Sequence, residues 1–301
     1  MSKKMKIWLV CALGLILVGG IIFGGVMTVL KWNFSSLGAG RYETNRYDVG
    51  ESYEDISIVA DTADIAFVTA TDGKTTVTVT EPKKAKHILS VENGVLKLSL
   101  NDQRRWYERL FGFGGTKITV AIPAGEYGAL QIYSKTGDVL VGKDFVFESA
   151  HIALSTGTVK YYASALGEVS LKTSTGDVEV ENVSVGSLSL SVTTGDGELE
   201  NVTAKSFSSS GSTGELSLKN VITEERISIK RSTGDIFIMG CDAAEIFAET
   251  DTGNVKGTLL SEKIFVAETN TGKIIVPEST RGGICKITTD TGNIIFSVIE
   301  R

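Results

Sequence analysis

From residue 130 onward, apolar and polar residues alternate with a period of two, and the alternation restarts every 19 or 20 residues. Each restart carries a Thr-Gly pair: Thr136-Gly137, Thr156-Gly157, Thr175-Gly176, Thr194-Gly195, Thr213-Gly214, Thr233-Gly234, Thr252-Gly253, Thr271-Gly272 and Thr291-Gly292. Counting each glycine as position 0, the slots −7, −5, +2 and +4 are apolar in 33 of 36 cases. The intervening slots −6, −4 and −2 are apolar in only four of 27, so one face of each segment is buried and the other is solvated. Such alternation defines a β-strand with one face in a core. Two strands meet at each Thr-Gly, where glycine can take a positive φ and turn the chain through a corner.

Nine copies of so short a unit predict an array in which each unit buries its apolar face against its neighbours. The Leu/Asn spacing and helical segment of leucine-rich repeats are missing. The predicted fold is therefore all-β: a β-solenoid of about nine 19–20-residue coils over 130–301. Gly137, Gly157, Gly176, Gly195, Gly214, Gly234, Gly253, Gly272 and Gly292 are its structural corners.

The N-terminal pattern differs. Residues 7–30 are 24 uncharged, mostly apolar positions, long enough to span a bilayer as a helix with some tilt. Lys3, Lys4 and Lys6 precede the span, which predicts a cytoplasmic tail (1–6) and an extracytoplasmic remainder. The stretch is too long for a signal-peptide core, so a single-pass signal-anchor is expected. Gly20 and Gly24 form a small-xxx-small spacing through which two helices could approach as a homodimer. Residues 31–50 lack a steady period and read as a linker. Residues 51–129 alternate irregularly, with an Asn93-Gly94 hairpin signal, and read as a β-region capping the first coil. Within it, 101–116 mixes Arg104, Arg105 and Arg109 with Trp106, Tyr107, Phe111 and Phe113. This loop either tucks its aromatics onto the cap or docks on a membrane surface or partner, and both readings stay open.

Composition narrows the chemistry. A net charge of −6, with no RNA-binding motif, argues against nucleic-acid binding. Only two histidines are present, His87 and His151, and no zinc spacing, nucleotide loop or nucleophile elbow accompanies them. Cys241 and Cys285 fall at inward slots of different phase, two coils apart, and read as free core thiols.

The Thr-Gly-Asp-Val repeats, the Ile118–Pro123 stretch, the aromatic loop before it and the N-terminal anchor together resemble a bacterial putative-adhesin β-strand-repeat family. That family includes the LiaG-like membrane-anchored proteins of envelope-stress operons. The resemblance covers most of 51–301 and implies a membrane-anchored extracytoplasmic β-solenoid. It brings no catalytic residues.

One outward constellation stands out. Asp177, Glu179 and Glu181 at +1, +3 and +5 should stack on Asp196, Glu198 and Glu200, with Glu215 opening the next coil. Like charges directly opposite on a sheet are destabilising. Solvent screening and splaying could offset this; so could a bridging divalent cation such as calcium or a cationic partner. On the second strand, Ser170, Ser189, Ser208 and Ser228 make a hydroxyl face. The Thr-x-Thr rows at −3 and −1 read as corner hydroxyls rather than an ice-binding face. These features predict a non-catalytic, adhesin-like interaction protein of the cell envelope that binds an envelope component or another membrane protein. An accessory regulator of envelope stress, engaging cationic peptides or a membrane sensor, is the alternative, and a polysaccharide-active enzyme a third. No cofactor is expected beyond the calcium considered for the patch.

Overall fold

Residues 2–29, 32, 42–104 and 115–299 are described by the structure, a computed structural model. The chain falls into two units, one holding the N-terminal helix with segments around 82–85 and 102–104, the other holding 44–81, 86–101 and 115–299.

The helix, α1, runs Lys3–Val29 and takes in nearly all of the span read from the sequence. Its most apolar 18-residue window has a mean hydropathy of 2.6, so by length and composition it could cross a membrane. At 1.5 Å per residue it is about 40 Å long, enough for a hydrocarbon core of roughly 30 Å. Gly20 and Gly24 lie on it with open space around them.

The second unit is β-structure throughout. Its first strands are β1 (Tyr42–Val49), β2 (Asp55–Val59), β3 (Ala63–Thr69), β4 (Thr75–Pro82), β5 (Ala85–Glu92), β6 (Val95–Asp102) and β7 (Thr116–Ile122). The repeats follow as β8 (Gly125–Thr136), β9 (Val139–Val141), β10 (Phe145–Thr156), β11 (Val159–Tyr161) and β12 (Ser164–Thr175). Three long strands come next: β13 (Val178–Thr194), β14 (Gly197–Thr213) and β15 (Leu216–Thr233). The last are β16 (Ile236–Cys241), β17 (Glu245–Thr252), β18 (Val255–Leu259), β19 (Lys263–Thr271), β20 (Ile274–Ile275), β21 (Gly283–Thr291) and β22 (Ile294–Val298).

Successive coils pair in parallel and in register. Val178 lies beside Gly197, Leu188 beside Phe207 and Thr194 beside Thr213. The alternating inward residues join into one continuous core from Ile56 to Phe296. Eight of the nine repeat glycines have φ between 124° and 158°; Gly272 is the departure and has no positive φ. A second constraint applies to all nine. A Cβ on Gly176 would lie 2.2 Å from the Gly157 carbonyl oxygen, and one on Gly272 would lie 1.9 Å from that of Gly292. The corner is a column of backbone on backbone, so glycine is required there even where φ alone would permit another residue.

Four consecutive coils have a second corner that the sequence reading missed. The ladder between β13 and β14 breaks at Asn182 and Asn201. Asn182, Asn201 and Asn220 have φ of 55°, 54° and 54°, and Gly240 follows at 64°. Asparagine tolerates this left-handed region better than most side chains. Its amide also stacks: Asn201 donates to Asn182 and Asn220 to Asn201, each at 3.0 Å. The repeated Glu-Asn-Val, Glu-Asn-Val, Lys-Asn-Val at 181–183, 200–202 and 219–221 was the available signal.

Coil order departs from chain order at both ends. β2 lies between β8 and β6, and β3 between β9 and β7, so β2, β3, β6 and β7 extend the stack. The region 51–129, expected as a cap, thus contributes solenoid coils. Capping falls to β4, antiparallel to β7, and to β1, which pairs with β4. Residues 42–49, read as linker, are therefore a strand. Asn45 of β1 donates at 2.9 Å to the buried Glu81, whose other oxygen accepts from the His87 N–H at 2.6 Å and lies 2.6 Å from His87 Nδ1. At the C-terminal end β21 inserts between β17 and β19, so the last coil in sequence is the penultimate one in space.

One core residue breaks the pattern. Arg231 occupies an inward slot, is 1% exposed, and its guanidinium has no hydrogen-bond partner among the described residues. It fills space left by the small residues of the preceding coil, and a Cβ on Gly211 would lie 2.7 Å from its Nη1. Burial pulls the guanidinium pKa down.

Candidate functional site: an acidic face bracketed by lysines

The short strand after each Thr-Gly corner points its +1, +3 and +5 side chains outward. Register stacks Glu179 on Glu198 and Glu181 on Glu200, as the spacing implied. It also brackets them. Lys160 pairs with Glu179 on one side, and Lys219 pairs with Glu200 on the other.

The columns are consequently less repulsive than the sequence suggests. Lys160 Nζ donates to Glu179 at 2.5 Å, and the Tyr162 hydroxyl donates to the same carboxylate. The hydrogen bond from Lys160, followed by that from Tyr162, holds the Glu179 carboxyl below its usual range. Lys219 donates to Glu200. Both lysines are pushed up, first by these bonds and then by the surrounding carboxylates, Glu181 and Glu198 included.

The +1 aspartates do a different job. Asp177 Oδ1 accepts the Asp196 N–H at 2.9 Å, and Asp196 Oδ1 accepts the Glu215 N–H at 2.7 Å. The same link joins Asp64 to Asp138, Asp138 to Thr158 and Asp235 to Asn254. The aspartate of Thr-Gly-Asp thus ties each corner to the next coil. Glu215 has no such bond: burial, then Asp196, Asp235 and Glu198, raises its pKa. Asp235 belongs to this acidic row and was missing from the sequence reading. Of the seven carboxylates first singled out, Glu179 and Glu200 have ion pairs, Asp177 and Asp196 accept backbone N–H groups, and Glu181, Glu198 and Glu215 have neither among the described residues. Among those residues, no three His, Cys, Asp or Glu side chains gather as a metal-holding group.

The other candidates fall into structural roles. Ser170, Ser189, Ser208 and Ser228 form one continuous column. Thr173, Thr250, Thr269 and Thr289 point inward and donate to glycine carbonyls of neighbouring coils, at 3.0–3.3 Å. Cys241 and Cys285 are buried and free, and burial pushes their thiols up to about 11 and about 12. His151 packs on Tyr133, with ring centroids 5.4 Å apart. Arg104 pairs with Asp102 at 2.9 Å, while Arg105, Arg109, Trp106, Tyr107, Phe111 and Phe113 lie outside the described residues.

A glycine-cornered β-solenoid with registered outer columns, preceded by an apolar helix, defines the class. The chain belongs to the Toastrack DUF4097 family, whose model matches residues 53–295. Among solved structures it is similar to a putative lipid binding protein from Parabacteroides distasonis, at 16% identity over 87% of this chain and 98% of that one, with a TM-score of 0.50. It is also similar to a putative adhesin from Bacteroides fragilis, at 16% identity over the same shares, with a TM-score of 0.45. None of the curated proteins matches.

Proposed function

We propose that the chain is a membrane-anchored interaction protein of the cell envelope, whose solenoid presents the acidic face to a cationic partner outside the membrane. The observation that carries this reading is the parallel register. It holds Glu181 and Glu198 on fixed strands, beside lysines already committed to Glu179 and Glu200. A rigid surface loses little entropy on binding, and unpaired carboxylates on it attract a basic peptide or protein patch. The adhesin description of a structural neighbour fits a binding role, and α1 has the length and composition of an anchor.

The test is titration of the full chain in nanodiscs with an oligolysine peptide across a salt series. Binding should weaken steeply with salt. Glu181→Gln/Glu198→Gln should weaken it several-fold while leaving the melting temperature within about 2 °C, since surface substitutions rarely exceed 0.5 kcal/mol. Equal binding by parent and double variant would refute the acidic face as the docking surface.

A further inference from the structure

The coil that ends the C-terminal side of the stack has the sequence of an interior coil. Among the described residues β19 pairs only with β21, and β20 only with β22, so one edge of each strand has no ladder partner. Phe265, Ala267 and Val276 occupy core slots yet are only part-buried. Ile264, Val266, Ile274, Ile275, Ile284 and Ile295 are 37–56% exposed. The large apolar side chains exposed earlier in this unit, Val59, Val68, Ile88, Tyr133, Leu140, Leu166 and Met239, are scattered over 59–239, whereas these six fall within 264–295. The other end has β4 and β1 as a cap. An open apolar strand edge is a template for pairing with another chain.

We propose that a second copy of this chain closes this end, tip to tip, through antiparallel pairing of β19 with its counterpart about a two-fold axis at Val266. A two-fold contact requires a self-complementary strand, and Lys263–Thr271 is one in this register. Antiparallel partners share a face, so Phe265 meets the partner copy's Ala267 in the continued core and Val266 meets its equivalent outside. Ile264 then faces Glu268, and Lys263 faces Thr269, with no like charges opposed. A one-residue slip would set core slots against outward ones. Centring on Phe265 instead would oppose Glu262 to Glu268, which is unfavourable. The pairing joins two finite stacks through the open edge of β19.

The test uses the full chain in detergent, with Cys11→Ser throughout. Val266→Cys sets two thiols across the axis, where directly opposed strand residues lie about 4.5–5.5 Å apart at Cα, within disulfide reach. Mild oxidation should give a covalent dimer from Val266→Cys and none from Ser208→Cys. In sedimentation, Val266→Lys/Ile275→Lys should halve the mass of the unoxidised protein. A monomeric parent at micromolar concentration with no Val266→Cys dimer would overturn the proposal. So would a dimer that persists in the lysine variant, since that would place the contact elsewhere, with the Gly20/Gly24 helix face as the first alternative.

Discussion

At the scale of single residues, the solenoid depends on a few backbone positions more than on any one core side chain. Inward slots accept valine, leucine, isoleucine, phenylalanine and alanine in turn, because neighbouring coils repack around modest volume changes. The corner glycines have no such latitude. Gly176 combines a φ of 131° with a neighbouring carbonyl oxygen 2.2 Å from any added Cβ. A left-handed conformation costs a residue bearing Cβ roughly 1–2 kcal/mol before that overlap is counted. Gly176→Val is therefore expected to destabilise the solenoid by about 2 kcal/mol or more, lowering its melting temperature by roughly 4–8 °C. A melting curve like the parent's would contradict the corner assignment. The second corner was harder to read because asparagine does not demand a turn as glycine does, and its side-chain ladder exists only once the coils are stacked.

At the scale of elements, the period-two pattern was sufficient for the strands and the Thr-Gly corner, and insufficient for the stacking order. Every coil carries the same inward pattern, so inserting β21 between β17 and β19 buries the same slots as chain order would. The pattern therefore cannot distinguish the two. It likewise gave the alternation of β2 and β3, which turn at Asp61-Thr62-Ala63 without the glycine, but not their place in the stack. Of the acidic face, the register and seven of the carboxylates were legible; Asp235 and the roles were not. Asp177 and Asp196 reach backbone N–H groups of the next coil, and Lys160 and Lys219 neutralise the column ends, both of which need three-dimensional neighbours.

Those roles give Glu179 and Glu215 opposite dependences on pH. Hydrogen bonds from Lys160 and Tyr162 depress the Glu179 pKa, so its stabilisation is present above the ordinary glutamate value of 4.5 and is lost as pH falls through the lower folded value. Glu215 is raised from 4.5, so its contribution is full below that value and is lost as pH rises through its folded pKa. At pH 7 and low salt, Glu215→Gln should therefore raise the melting temperature and Glu179→Gln lower it, each by the equivalent of about 0.2–1 kcal/mol. Near pH 3.5 both differences should shrink. Shifts of the same sign at pH 7 would contradict this division of the column.

At the scale of the whole molecule, the proposed function requires α1 to anchor the chain in the bilayer and the solenoid to lie outside the cell. The lysines at positions 3, 4 and 6 favour a cytoplasmic N-terminus, and the outer columns need contact with the envelope to meet a partner. The most direct measurement is labelling of single-cysteine reporters by a membrane-impermeant maleimide in intact cells, in a Cys11→Ser background. Cys241 and Cys285 are buried and should stay silent. Ser208→Cys, on the exposed serine column, should label in intact cells, and Lys3→Cys only after permeabilisation. Labelling of Lys3→Cys in intact cells with Ser208→Cys protected would contradict the account.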